Sequence, residues 1–186
     1  MSAIDRGDWM ATITGGRFFP LDPQPDDVRI ADIAHALAHL CRFAGHTREF
    51  YSVAQHSVLV SEICGNGPVG LWGLLHDASE AYLCDLTRPV KKSFELQGYR
   101  LIEANVMATI CQRFNLPLEM PTAVKEADSL ALEAEKRDLM VMPSDWTSKR
   151  PAHHARVRGM FPPGARTAFL RRFDQLASEL GLRLDG

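Results

Sequence analysis

Apolar residues spaced by three and four, in runs cut short by glycine and proline, constrain this chain more than any other feature of its sequence. In "VRIADIAHALAHLCRF" the positions Ile30, Ile33, Ala34, Leu37, Ala38 and Cys41 fit one helical face. Asp26 or Asp27 stands where a cap for that helix is needed. The period returns in "FYSVAQHSVLVSEIC", which "GNGP" ends with a strong breaker. It returns again in "VGLWGLLHDASEAYL", whose helix closes at or before Arg88 because the residue ahead of Pro89 avoids the helical region. Further helices are expected over residues 93 to 114 with Ser93 as cap, and from Pro121 through "TAVKEADSLALEAEKRDLM". A last one covers "ARTAFLRRFDQLASEL" and closes at Gly181. Near the start, "WMATITGGRFFPL" sets Gly15 and Gly16 between two short β-prone runs, a hairpin signal. The expectation is one all-α domain over residues 1–186 with a small N-terminal β-hairpin. Residues 1–28 hold the hairpin and a turn, 29–142 the main helices, and 143–186 a proline-rich surface loop (143–164) and the closing helix.

Length and composition agree with that plan. A chain of 186 residues, 46% hydrophobic and 24% charged, suits one globular domain with a sizeable core. A formal net charge of −2 gives no electrostatic footprint for a nucleic-acid polymer or an anionic membrane. Phosphate binding therefore has to come from a local site. Cys41, Cys64, Cys84 and Cys111 follow no framework or C-x-x-C spacing, which predicts reduced, mostly buried thiols in a cytoplasmic protein. Asp5 and Asp8 and the lack of an apolar h-region argue against a signal peptide. No uninterrupted apolar stretch approaches membrane-spanning length.

Three of the expected helices each turn a metal-capable group towards the interior. Val53, His56 and Val60 share a face; so do Trp72, His76, Ser79, Glu80 and Leu83, and again Val124, Ala127, Asp128, Ala131 and Ala134. Helical bundles build metal sites from such inward side chains on facing helices. Each residue alone has an ordinary reading: a satisfied interior histidine, a common His-Asp pair, an acid just off the core stripe. The combination weighs more. A histidine, then His-Asp 20 residues later, then an inward aspartate supply two imidazoles and two carboxylates. That set suits a divalent transition metal or Mg²⁺ with positions left open. Neighbouring helical residues diverge by about 100°, so His76 and Asp77 reach one ion only at the seam between them.

These segments resemble a known family. "YSVAQHS", "LLHDASEAYLCDLTRPVK" and "VKEADSLALEAEKRDLM" are similar to the H…HD…D signature of HD-domain phosphohydrolases, closest to the bacterial 5′-deoxynucleotidase branch. The similarity extends over most of residues 29 to 140. It implies an HD-domain helical bundle in which His56, His76, Asp77 and Asp128 ligate one divalent metal ion (Co, Mn, Mg, Zn or Fe). It implies Glu80 and Asp77 as catalytic groups, Asp85 as a contact to the sugar 3′-hydroxyl, and Lys91 and Arg42 as phosphate contacts. The residue types agree with those roles, since an acceptor suits a hydroxyl and an ammonium or guanidinium suits phosphate. Glu80 lies four residues after His76, one helical turn along, where a carboxyl can move a proton. An exposed helical glutamate is the competing reading for Glu80, and a solvated loop charge for Asp85 and Lys91. The family pattern places tryptophan after the arginine, whereas Phe43 follows Arg42 here.

The resemblance implies a hydrolase of small nucleotides, acting on 2′-deoxynucleoside 5′-monophosphates to give nucleoside and phosphate. The alternatives are a deoxynucleoside triphosphate triphosphohydrolase and a non-catalytic nucleotide-binding module. It also implies a homodimer or larger homo-oligomer. His46, in "AGHTRE", is a further candidate for the substrate phosphate. His35 and His39 sit one turn apart without a companion ligand and read as structural or site-lining. His153 and His154 read as solvated loop residues, and Arg166, Arg171 and Arg172 as the exposed face of the last helix.

Overall fold

The computed structural model describes residues 6–141, 143 and 151–182. Strands β1 (Met10–Ala11) and β2 (Arg17–Phe18) pair antiparallel, with Met10 opposite Phe18 and Ala11 opposite Arg17. Helices follow: α1 (Ile30–His39), α2 (Val53–Cys64), α3 (Gly67–Leu75), the short α4 (Glu80–Leu83) and α5 (Arg88–Lys91), then α6 (Gln97–Arg113), α7 (Thr122–Leu139) and α8 (Pro162–Leu180). The described chain is thus mostly helical with one small sheet, as the apolar periodicity predicts. No helix among the described residues is long and apolar enough to cross a membrane.

Helix α2 is the hub, packing on α1, α3, α7 and α8. Its start is set by a capping box: the Ser52 hydroxyl accepts from the Gln55 backbone at 3.2 Å, and the Gln55 side chain accepts from the Ser52 backbone at 3.4 Å. Its end is set by Gly65, in a positive-φ conformation that disfavours other residues. The core around it comes from Ile33 and Leu37 of α1, Val60 of α2, Leu71, Leu74 and Leu75 of α3, and Phe169 and Phe173 of α8.

Helices α2 and α3 meet backbone to backbone. A Cβ on Gly73 would lie 2.9 Å from Cys64 Sγ and 3.1 Å from Ser61 Cα, and one on Gly70 would lie 2.1 Å from the Gly65 carbonyl oxygen. Only glycine permits that approach. The turn is tied down by Arg172 of α8, which donates to Ser61 Oγ (2.9 Å), the Ser61 carbonyl (3.1 Å), the Gly65 carbonyl (2.5 Å) and Asn66 Oδ1 (3.1 Å). Arg172 is therefore buried and not part of an exposed basic face; Arg166 and Arg171 are exposed as expected. Its charge sits against the carbonyl end of α2, the favourable end for a cation.

Several local expectations give way to tertiary structure. Helix α1 stops at His39, because Leu40 to Arg42 run extended beside Tyr51 to Val53. Val53 N donates to Leu40 O (3.0 Å) and Arg42 N to Tyr51 O (3.0 Å), with Cys41 bridged to Ser52. Asp26 and Asp27 do not cap α1, whose start has no side-chain cap; Asp27 instead accepts from Arg6 and from the Gln24 backbone. The expected third helix breaks after Leu75 and resumes as α4 only at Glu80. Ser93 precedes a 3₁₀ turn (Phe94–Leu96) without a capping bond, and α6 starts at Gln97. Helix α8 begins at Pro162, inside the stretch expected as loop; residues 142 and 144–150 of that region lie outside the described residues. Only Cys111 of the four thiols is buried; Cys41 and Cys84 are exposed, Cys64 is half-buried, and all four are free.

Candidate metal centre

The break after Leu75 shapes the centre. From Leu75 onward the backbone bonds span three residues: Ala78 N to Leu75 O (2.9 Å), Glu80 N to Asp77 O (3.0 Å), Ala81 N to Ala78 O (3.2 Å). In such a turn, side chains three apart eclipse one another. Glu80 is thereby aligned with Asp77, whereas a continuous α-helix would align it with His76. The same tightening eases the seam problem, for His76 Nε2 and Asp77 Oδ2 come within 3.2 Å of each other.

Helix α2 contributes His56 from the opposite side. Its Nε2 lies 3.2 Å from His76 Nε2, 3.7 Å from Asp77 Oδ2 and 3.2 Å from Asp128 Oδ1 of α7. His56, His76 and Asp77 each offer a ligand atom within 4.8 Å of the others, a group able to hold a metal ion. Asp128 reaches the cluster through His56.

The hydrogen bonds on the far edges of the two rings fix what faces inward. His76 Nδ1 lies 2.8 Å from the Gly73 carbonyl, and His56 Nδ1 lies 2.6 Å from Glu135 Oε1. A carbonyl and a carboxylate only accept, so both Nδ1 atoms carry hydrogen, and in the neutral form each ring turns a lone pair inward at Nε2. With both rings neutral, two nitrogen lone pairs and two carboxylates face one another, a crowding relieved by a cation within it or, without one, by a proton on His56. Nitrogen and oxygen donors of this kind fit a divalent ion.

The titration of the groups reflects this crowding. Burial and the Arg42 charge oppose protonation of His56, but Glu135 and Asp128 outweigh them and raise it to about 9. Asp77 is held well below the usual carboxylate range, against its burial, by His76, His56 and Arg42. Asp128 is lowered too, against burial, chiefly by His56. Glu80 moves the other way: burial first, then the Asp77 and Asp85 charges, push it up to about 10. It is a neutral carboxylic acid at pH 7, buried, with Oε2 lacking a hydrogen-bond partner. That excludes the exposed-glutamate reading.

The other expected site residues divide. Arg42 does reach the cluster, 3.7 Å from Asp77, but its Nη2 also donates to Glu135 at 3.1 Å and its guanidinium lies over the Phe43 ring. Asp85 is half-buried, its pKa raised by burial and further by Asp77. Lys91 of α5 pairs with Glu103 of α6 at 2.5 Å and points towards Glu80 at 3.9 Å. His46 is exposed and bonds through its backbone N–H to Phe43 O; no contact of its side chain with the cluster is seen. The rings of His35 and His39 lie tilted against each other, their centroids 4.2 Å apart. His153 is half-buried rather than solvated, and its neighbour His154 is exposed.

One site residue escapes the sequence reading. Glu135, fully buried, joins His56, Arg42 and the Tyr51 hydroxyl. It follows Asp128 by seven residues, two helical turns along the same face, and that spacing was the available signal. Inside "LEAEKRD" it reads instead as part of a solvated charge run.

No protein-family model matches the chain. It is 41% identical over 131 residues to the uncharacterized protein YfdR of Escherichia coli (strain K12), covering 70% of this chain and 72% of that one. It is 36% identical over 192 residues to the uncharacterized protein RCAP_rcc00048 of Rhodobacter capsulatus, covering 92% of this chain and 97% of that one. At that identity and coverage, the chain belongs to the family that includes these two bacterial proteins.

Proposed function

We propose that the chain is a metal-dependent phosphohydrolase of small nucleotides, acting on 2′-deoxynucleoside 5′-monophosphates to give nucleoside and phosphate. The observation that carries the reading is the inward convergence of His56, His76, Asp77 and Asp128 beside a neutral, buried Glu80. His56, His76, Asp77 and Asp128 would hold one divalent ion, with Co, Mn, Mg, Zn and Fe as candidates. When bound, such an ion supplies Lewis acidity towards phosphoryl oxygen and water. The resemblance of "LLHDASEAYLCDLTRPVK" to the HD-domain phosphohydrolases supports the same reading.

The chain's own groups divide the remaining work. Glu80 keeps its proton at neutral pH, as a general acid must, and would give it to the departing 5′-oxygen. Asp77, firmly ionised, holds cationic charge and is a weaker base than its position alone suggests. Asp85, half-buried near Asp77, accepts from a sugar hydroxyl. Lys91, beside Glu80, adds positive charge where phosphate would enter.

The test is release of phosphate or triphosphate from a panel of ribo- and deoxynucleoside mono- and triphosphates with Mn²⁺, Co²⁺ and Mg²⁺. Phosphate from deoxynucleoside monophosphates, lost in Asp77→Ala, is the expected result. Triphosphate release with no action on monophosphates would replace it with a triphosphohydrolase. Metal and nucleotide binding without turnover would replace it with a binding module.

A further inference from the structure

Glu135 is bound on both carboxylate oxygens, deep in the protein, and belongs to none of the expected roles. Its Oε1 accepts from His56 Nδ1 at 2.6 Å and its Oε2 from Arg42 Nη2 at 3.1 Å, with no solvent exposure. Tyr51, buried to within 2%, adds its hydroxyl to the same carboxylate. All three partners are held by backbone structure. Arg42 and Tyr51 are joined across the extended pair (Arg42 N to Tyr51 O, 3.0 Å), and His56 follows on the first turn of α2.

Helix α7 thus grips one imidazole by both edges. Asp128 faces Nε2 at 3.2 Å, and Glu135, two turns on, faces Nδ1. We infer that Glu135 is a positioning residue of the proposed metal centre: it fixes His56 in the Nδ1–H tautomer, aims Nε2 at the cluster and strengthens that nitrogen as a donor. A carboxylate behind a ligating histidine orients the ring and raises its basicity. His76 has only the neutral Gly73 carbonyl behind it, so the two histidines are unequal donors and His56 is the stronger. Arg42 sets a guanidinium against the other carboxylate oxygen, a charge partner for a group with no solvent exposure.

The inference rests on the metal-centre reading, and the two can fail separately. The experiment measures Co²⁺ binding to the chelator-stripped full-length chain by calorimetry and by the visible absorption of the bound ion. Wild type is compared with Glu135→Gln, which keeps an acceptor of the same shape but removes the charge. Thermal melts of the stripped proteins report the fold, and Glu135→Ala serves as a second variant that also removes the acceptor. The expected result is Co²⁺ affinity 10- to 100-fold weaker in Glu135→Gln, roughly the loss such outer partners cause. The absorption spectrum should shift with it, and the loss should be greater in Glu135→Ala. Wild-type binding with an unchanged affinity and spectrum in Glu135→Gln overturns this inference alone. Absence of Co²⁺ binding by wild type overturns the metal centre and this inference together.

Discussion

The Nε2 atoms of His56 and His76 stand 3.2 Å apart, and in the neutral rings neither of them carries a hydrogen. Both rings place that hydrogen on the opposite edge, towards Glu135 and the Gly73 carbonyl. A centre pre-set in this way should gain stability when a cation enters. Excess Mn²⁺ should raise the melting temperature, by the equivalent of about 2.7 kcal/mol at a hundredfold excess over its dissociation constant. Asp77→Ala, at a partly exposed position, should remain folded and lose most of that gain in a calorimetric melt.

Glu80 predicts a pH dependence whose sign can be worked out. Unfolded, it titrates near 4.5; folded, it titrates at about 10. Between those values the folded state keeps a proton that the unfolded state has released, so its contribution to stability falls as pH rises. In chelator, urea melts at pH 5, 7 and 9 should show wild type losing ground steadily against Glu80→Gln. Phosphate release by Glu80→Gln should fall about 10²- to 10⁴-fold, the usual worth of a general acid. A parallel pH profile in the two proteins would refute the buried neutral acid.

What the sequence reveals of this fold is set by how local each signal is. Gly65 and Gly181 end their helices by a backbone preference written into single residues, and both ends are legible. The break after Leu75 is not. A 3₁₀ turn keeps helical dihedrals and an interior apolar pattern, so "LLHDASEAYL" reads as unbroken. Arg172 looks like one of a basic pair, because its partners Ser61, Gly65 and Asn66 lie over a hundred residues away in sequence. The meeting of His56, His76 and Asp77, with Asp128 against His56, is legible through helical spacing. Glu135 required the spacing from Asp128 to be carried one step further.

Arg172 should be among the most sensitive positions outside the centre. Replacing it by methionine keeps the stem but leaves the Ser61 and Gly65 carbonyls without their donor. The expected loss is roughly 2–3 kcal/mol in urea melts, from buried groups left unsatisfied. Arg171→Met, on the exposed face, should change stability by less than about 0.5 kcal/mol.

The loop after α1 carries strain that substitution can relieve. Phe43 and Ala44 have φ of 54° and 51°, a region that non-glycine residues enter at a penalty. Ala44 is exposed. Ala44→Gly should therefore stabilise the protein, on the order of 1 kcal/mol, read as a higher urea midpoint at constant slope.

Gly73→Ala should act at a distance. The added methyl meets Cys64 and Ser61 and forces α3 away from α2, at a penalty of about 1–3 kcal/mol for overpacking. Because His56 and His76 ride on those two helices, Mn²⁺ affinity should weaken as well, measured against wild type by calorimetry.

The glycine-lined meeting of α2 and α3 also bears on the order of assembly. The two helices are joined by a very short turn, and His56 of α2 and the His76–Asp77 pair just past the end of α3 are near in sequence, contacts of the local kind that favour fast folding. Asp128 and Glu135 lie on α7, which returns from beyond α6 to close on His56. A cation held by all four proposed ligands would staple a pair of sequence neighbours to a distant helix.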